Sequence, residues 1–177
     1  MDDDEALSRL NLPDPGMALL VDVITCIDVD PQIRDYAIDH PSISDTELLA
    51  FMQSASEGVL GRCLVATSRT AVLRYYMLEG NVDQRASVAF NNASDRGIIM
   101  LALSDPEERV RCQAMFCPAL PDAQVAWHRD HDPSPAVRDA AKVALEDEMG
   151  RYVRSGGTYL LDNGDGTYST DPEWLEE

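Results

Sequence analysis

The chain has 177 residues, with 32 Asp and Glu against 14 Lys and Arg, so its formal net charge is −18. That length suits one domain that buries a core without disulfides, and 45% apolar residues exclude a disordered acidic tail. A surface of this sign excludes electrostatic binding to DNA, RNA or an anionic membrane.

The first residues, Met1-Asp2-Asp3-Asp4-Glu5, are acidic where a secretory signal is basic. The most apolar stretch, Met17–Ile27, covers 11 residues and contains Asp22, too short and too interrupted to span a bilayer. These features predict a cytoplasmic protein whose residues 1–29 form an acidic leader and an N-terminal capping helix. Cys26, Cys63, Cys112 and Cys117 are dispersed through apolar pattern with no CxxC. They read as free thiols packed as small hydrophobes.

From residue 30 the chain repeats itself. Ile33-Arg34-Asp35-Tyr36-Ala37, Leu60-Gly61-Arg62-Cys63-Leu64, Gln84-Arg85-Ala86-Ser87-Val88, Val110-Arg111-Cys112-Gln113-Ala114 and Val137-Arg138-Asp139-Ala140-Ala141 align. Their last positions lie 27, 24, 26 and 27 residues apart, with Arg three places earlier in four of five copies. The copy with Arg62 is the degenerate one. Turn formers follow in one slot: His40-Pro41-Ser42-Ile43, Thr67-Ser68-Arg69-Thr70, Asn91-Asn92-Ala93-Ser94 and Cys117-Pro118-Ala119-Leu120. Then comes a second apolar face at Leu48/Phe51, Tyr75/Leu78, Ile99/Ala102 and Val125/His128, with the i, i+3 spacing of a helix. Asp30-Pro31, Asp105-Pro106 and Asp132-Pro133 precede Arg-bearing helices as caps, and Ser44 with Glu47 has capping-box spacing. Each unit is therefore two short helices and two turns in about 25 residues, too short a period for tetratricopeptide, HEAT or armadillo units.

The pattern Val-Arg-x-x-Ala, then a Pro- or Asn-bearing turn, a short apolar helix and Asp-Pro, resembles the leucine-rich repeat variant family. The likeness covers about residues 30–145 and is clearest in Gln84–Pro106 and Val110–Pro133. It implies an all-α fold, a HEAT-like α-solenoid of short helix pairs over residues 30–150. Some relatives carry an iron–sulfur cluster on an N-terminal cysteine cluster. Only Cys26 precedes the repeats here, so that cofactor does not carry over and none is expected. In residues 151–177, Thr158–Leu161 and Thr167–Thr170 flank Asp162-Asn163-Gly164-Asp165-Gly166. That arrangement predicts a small C-terminal β-hairpin, followed by the acidic tail Asp171–Glu177.

Several clusters carry weaker chemistry. His128-Arg129-Asp130-His131-Asp132 offers metal donors, but His128 occupies a core slot and His131 a turn, so no metal is expected. Asp162–Gly166 lacks the alternating ligands and the distal Glu of a calcium loop. The column Arg34, Arg85, Arg111 and Arg138 suits pairing with carboxylates of the same or adjacent repeat better than an anion groove. No catalytic triad, phosphate loop or dinucleotide fingerprint appears, and Cys112 or Cys117 with His128 has no supporting motif.

What remains is surface, and it predicts a non-enzymatic protein–protein interaction module. The candidate contact aromatics are Tyr75, Tyr76, Trp127 and Trp174. Tyr75 and Tyr76 are adjacent on one helix, so one belongs to the core and the other to the rim. Residues 1–30 carry −7 and residues 151–177 carry −4 of the −18. Asp2, Asp3, Asp4, Glu5, Glu173, Glu176 and Glu177 are thus candidate contacts for a basic partner protein. An acidic antagonist, such as an immunity protein, nuclease inhibitor or DNA mimic, is the alternative. An enzyme with an unrecognised site stands last.

Overall fold

Five of the helix starts are set by side chains that satisfy free backbone N–H groups. Asp2, Asp30, Ser44, Asn81 and Asp95 accept from the N–H of Glu5, Gln32, Glu47, Gln84 and Ile98. Ser44 with Glu47 and Asn81 with Gln84 complete reciprocal capping boxes. The computed structural model describes residues 1–146 apart from Pro13 and Pro118, together with the backbone of 152–155, 158–162 and 168–169. The helices are α1 (Asp3–Leu10), α2 (Gly16–Thr25), α3 (Pro31–Ile38), α4 (Asp45–Ser54), α5 (Glu57–Ala66), α6 (Thr70–Glu79), α7 (Val82–Phe90), α8 (Arg96–Leu103), α9 (Glu108–Ala114), α10 (Asp122–His131) and α11 (Pro135–Glu146). The longest has 12 residues, too few to be stable alone, so tertiary contact holds them. The described residues up to Glu146 contain helices and their connections and no strand. None of their helices is long and apolar enough to cross a membrane.

The helices pack in two rows. α1 meets α3, α3 meets α5, α5 meets α7, α7 meets α9 and α9 meets α11. α4, α6 and α8 form the second row, and neighbours such as α6 with α7, α8 with α9 and α10 with α11 join the two. The aligned positions all fall on odd-numbered helices and are sealed: Ala37, Leu64, Val88, Ala114 and Ala141 are at most 1% exposed. A small or β-branched side chain recurs in most copies because neighbouring helices approach closely there.

In the second row Leu48, Ile99, Ala102, Val125 and His128 are buried, as their register predicts, while Phe51 is only partly buried. α6 corrects the alignment. Leu78 is exposed, Tyr75 is only half-buried, and Val72, Leu73, Tyr76 and Met77 face the core. The cause is turn length. Three residues, Thr67–Arg69, separate α5 from α6, against longer turns after α3 and α7, so the inward face arrives earlier in the chain. The acidic leader is itself helix α1, held by buried Ala6 and Leu10.

Polar staples join successive units along α7–α11. Arg85 donates from Nε and Nη2 to both oxygens of Asp105 at 2.7 and 3.0 Å. Arg111 does the same to Asp132 at 3.1 and 3.0 Å, and its Nη1 donates to the Asp105 carbonyl at 2.8 Å. Each of these aspartates also accepts a backbone N–H two residues on, from Glu107 and Ser134. On the other side of the units, Asn91 Nδ2 points at the carbonyls of Leu64, Val65 and Thr67 at 2.8–2.9 Å. It thereby covers the open C-terminal end of α5.

Beyond α11 the backbone of β1 (Tyr152–Ser155), β2 (Thr158–Asp162) and β3 (Tyr168–Ser169) pairs antiparallel in that order. Of the hairpin expected from Thr158–Leu161 and Thr167–Thr170 around Asp162–Gly166, positions 163–167 and 170 lie outside the described residues.

Candidate functional site

α8 contains the uninterrupted apolar run Ile98–Leu103. One helix face accommodates Ile98, Ile99, Ala102 and Leu103, which are buried. Met100 and Leu101 are left over, 44% and 38% exposed. On α10, Val125 and His128 turn inward while Trp127 stays 55% exposed. Between these helices lies a cleft of about 420 Å³ lined by Met100, Leu103, Ser104, Gln124, Trp127 and His128. It is a mainly apolar hollow with a few polar groups at its edge, the usual make-up of a ligand or anchor site.

Trp127 is fixed before any ligand arrives. His131 stacks on its ring at 5.0 Å and 15°, and His128 meets it edge-on at 5.0 Å and 81°. His131 Nδ1 lies 2.9 Å from the Trp127 carbonyl and donates to it. His128 Nδ1 lies 3.1 Å from Asp132 Oδ2. Burial alone raises the Asp132 carboxyl, but hydrogen bonds from Arg111, the Ser134 N–H and His128 outweigh it and hold it below the usual carboxylate range. An ionised Asp132 accepts, so Nδ1 carries a proton. The staple between repeats therefore also orients a cleft-lining side chain. Arg96 lies one helical turn before Met100 and is exposed.

Of the expected contact aromatics that lie among the described residues, the cleft takes only Trp127. Tyr76 is a correction: it is 4% exposed in the core, with its hydroxyl unpartnered, because the short turn before α6 rotates it inward. Tyr75 is the rim member, half-buried on α6, its hydroxyl accepting from Gln53 Nε2 at 3.1 Å. The leader acids have structural tasks. Asp2 caps α1, Asp3 accepts from the Asp30 N–H at 2.8 Å, and Glu5 pairs with Arg9 at 2.8 Å; Asp4 is simply exposed. Trp174, Glu173, Glu176 and Glu177 lie outside the described residues, as do positions 163–166 of the calcium-like loop.

Among the described residues no group of three or more His, Cys, Asp and Glu is placed to hold a metal. Burial pushes the Cys63 thiol up to about 12 and also raises Cys112 and Cys117, the reverse of an activated thiol. Arg85 and Arg111 are turned to Asp105 and Asp132 and line no anion groove. Met100, Leu103, Ser104 and Gln124 escape a reading by repeat register. The signal for them is the apolar run itself, since a helix apolar on every side must leave some of it uncovered in a two-row array. Comparisons with family models, with curated proteins and with solved structures find no match to this chain.

Proposed function

We propose that the chain is a non-enzymatic protein-binding module, an α-solenoid related to the leucine-rich repeat variant family and closed by a small C-terminal β-hairpin. The two-row helix contacts and the sealed column at 24–27-residue spacing support that architecture. Its four free thiols suit a reducing cytoplasm. The observation that carries the function is Trp127, half-exposed and clamped by two histidines beside a 420 Å³ apolar cleft. A rigid exposed indole next to a hollow is the typical make-up of an interface anchor.

The test is affinity capture from the native host on wild-type and Trp127→Ala protein, followed by binding measurements on the purified partner. Trp127→Ala should weaken that partner by about 2 kcal/mol or more, with little dependence on salt. A partner held equally by both proteins removes the cleft from the interface.

A second reading has its own observation. Arg69, Arg74, Arg85, Arg109, Arg111 and Arg129 all pair internally with Asp, so the outward field is set by carboxylates. An acidic antagonist of a basic, nucleic-acid-binding protein would use that field. Its complex would weaken steeply as salt rises and would ignore Trp127→Ala.

A further inference from the structure

We propose that the pocket between α5 and α7 receives an arginine side chain presented by a partner protein, in the slot that this chain's own arginines fill at the next two junctions. The site is separate from the Trp127 cleft. It goes beyond that reading by naming a chemical group the partner must carry.

The repeat register defines the slot. Arg85 and Arg111 reach across to Asp105 and Asp132, at the start of the following unit. At the same position α5 has Gly61. Beyond its chain neighbours and the backbone of its own helix, nothing lies within 4 Å of the point where a Gly61 Cβ would stand. Arg62, one place later, does not substitute, because its Nη1 turns back to the Ile24 carbonyl at 3.5 Å. The receiving aspartate is missing as well. Its counterpart is Gly80, whose carbonyl accepts from Arg85 Nη1 at 3.0 Å. The Asp105 and Asp132 carbonyls accept in the same way from Arg111 and Arg138 at 2.8 and 2.7 Å. A side chain is excluded at Gly80, since its Cβ would strike the Tyr76 carbonyl and come within 3.0 Å of Gln84 Cβ. This junction has neither half of the staple, and a pocket of about 250 Å³ lies open beside Gly61.

The lining matches a guanidinium on an aliphatic stem. Leu60 and Leu64 supply apolar surface for the methylenes, and Glu57, Asn81, Asp83 and Gln84 supply oxygen acceptors. Asn81 Oδ1 and Gln84 Oε1 each take one backbone N–H in the capping box, which leaves each carbonyl oxygen a second lone pair. Asp83 already holds Arg109 in a pair exposed on both sides. Glu57 is exposed and has no hydrogen bond or ion pair among the described residues, so its carboxylate is the charge offered to a ligand. Acceptors drawn from two helices suit the five donors of a planar guanidinium better than the point charge of a lysine. The net charge of −18 attracts a partner that carries such a group.

The probe is N-acetylarginine methylamide, titrated into the isotope-labelled full chain and followed by amide NMR, with the lysine and norleucine analogues beside it. A single cation avoids the general attraction of polybasic peptides to an acidic protein. The arginine probe should shift the Gly61, Gln84 and Ser87 amides saturably at millimolar concentration, and the two analogues should bind several-fold more weakly. Glu57→Gln, at an exposed position, should weaken the arginine probe several-fold. Gly61→Arg returns the repeat's own side chain to the slot. It should abolish the shifts and raise Tm, because arginine is a better helix former than glycine. Absence of saturable shifts overturns the proposal. So does an affinity unchanged by Glu57→Gln, or equal binding of the lysine or norleucine analogue. Trp127→Ala should leave every one of these values unchanged, so failure of the Trp127 cleft as an anchor and failure of the arginine pocket are read separately.

Discussion

Between α9 and α11 the junction of two repeats is ionic and nearly dry. Arg111 and Asp132 have side chains 11% and 2% exposed, and Asp132 also takes the Ser134 N–H and His128. Between α3 and α5 the same slot holds Arg34, whose Nη1 reaches the Cys26 carbonyl at 3.3 Å while its buried Nε has no partner. The chain offers no Asp there, because Ser54-Ala55-Ser56 stands before α5. The polar tie moves instead to the turn after α3. Asp39 accepts from Thr67 Oγ1 and the Ser68 N–H, both at 2.6 Å, and sits 3.6 Å from Arg69 Nε. The apolar column is kept throughout, so the repeat is defined by its close-packed positions, and the polar seam is rebuilt locally wherever the turn permits.

The largest expected effect breaks the C-terminal seam. Asp132→Ala leaves Arg111 largely buried without its carboxylate, and it also frees His128 and the Ser134 N–H. Loss of one member of a buried pair costs about 3–5 kcal/mol, which denaturant unfolding will read. The same aspartates set the response to acid. Burial raises Asp105 and Asp132, but hydrogen bonds from Arg85 and Arg111 and from backbone N–H groups win, so both carboxyls titrate below the usual range. A group whose folded value is depressed stabilises the protein above its unfolded value, about 3.9 for Asp. That stability is lost as pH falls through the folded value. Wild type should therefore lose stability below about pH 4, and Asp105→Asn and Asp132→Asn should each flatten that limb. An unchanged acid limb would mean the staples are open in solution.

The sealed column comes next in size. Ala114 is 1% exposed at the contact of α9 with its neighbours, and a ring there has no room. Ala114→Phe should cost about 1–3 kcal/mol by overpacking, read as a lowered Tm. An unchanged Tm would show that α7, α9 and α11 do not approach closely at this position.

Helix pairing is legible in the sequence because close approach forces small or β-branched residues into one column at a steady period, and Ala37, Val88, Ala114 and Ala141 stand out by themselves. The Asp30-Pro31 cap is legible for the same local reason, whereas Asp105-Pro106 stands before α9, whose N-cap is Glu107 with no side-chain hydrogen bond. The inward face of α6 is not, since a turn shortened to Thr67–Arg69 shifts every later residue and leaves no mark in the helix pattern. Nor is the cleft. Trp127 can be picked out as a large aromatic, but Met100 and Ser104 become cleft walls only through the spacing of α8 and α10. The second role of Asp132 is equally hidden, because it depends on His128 and Arg111 converging from two helices.

The smallest expected effect is the most direct check on the contrast between the two seams. Arg34 and Arg111 occupy the same repeat position, so the same substitution can be made at both. Arg111→Met leaves Asp132 ionised, buried and without its bidentate partner, and should cost about 3–5 kcal/mol. Arg34→Met loses one hydrogen bond to a carbonyl at 3.3 Å and some charge compensation for Asp35, whose carboxyl is already raised by burial despite Arg34 and Arg62. Against that loss, the methionine removes a buried Nε that has no partner and keeps the apolar stem packed. These terms nearly cancel, and the net change should stay within about 1 kcal/mol. Denaturant midpoints measured side by side would decide it. Equal losses at the two positions would mean that Arg34 finds a carboxylate in solution and that both halves of the array are stapled alike.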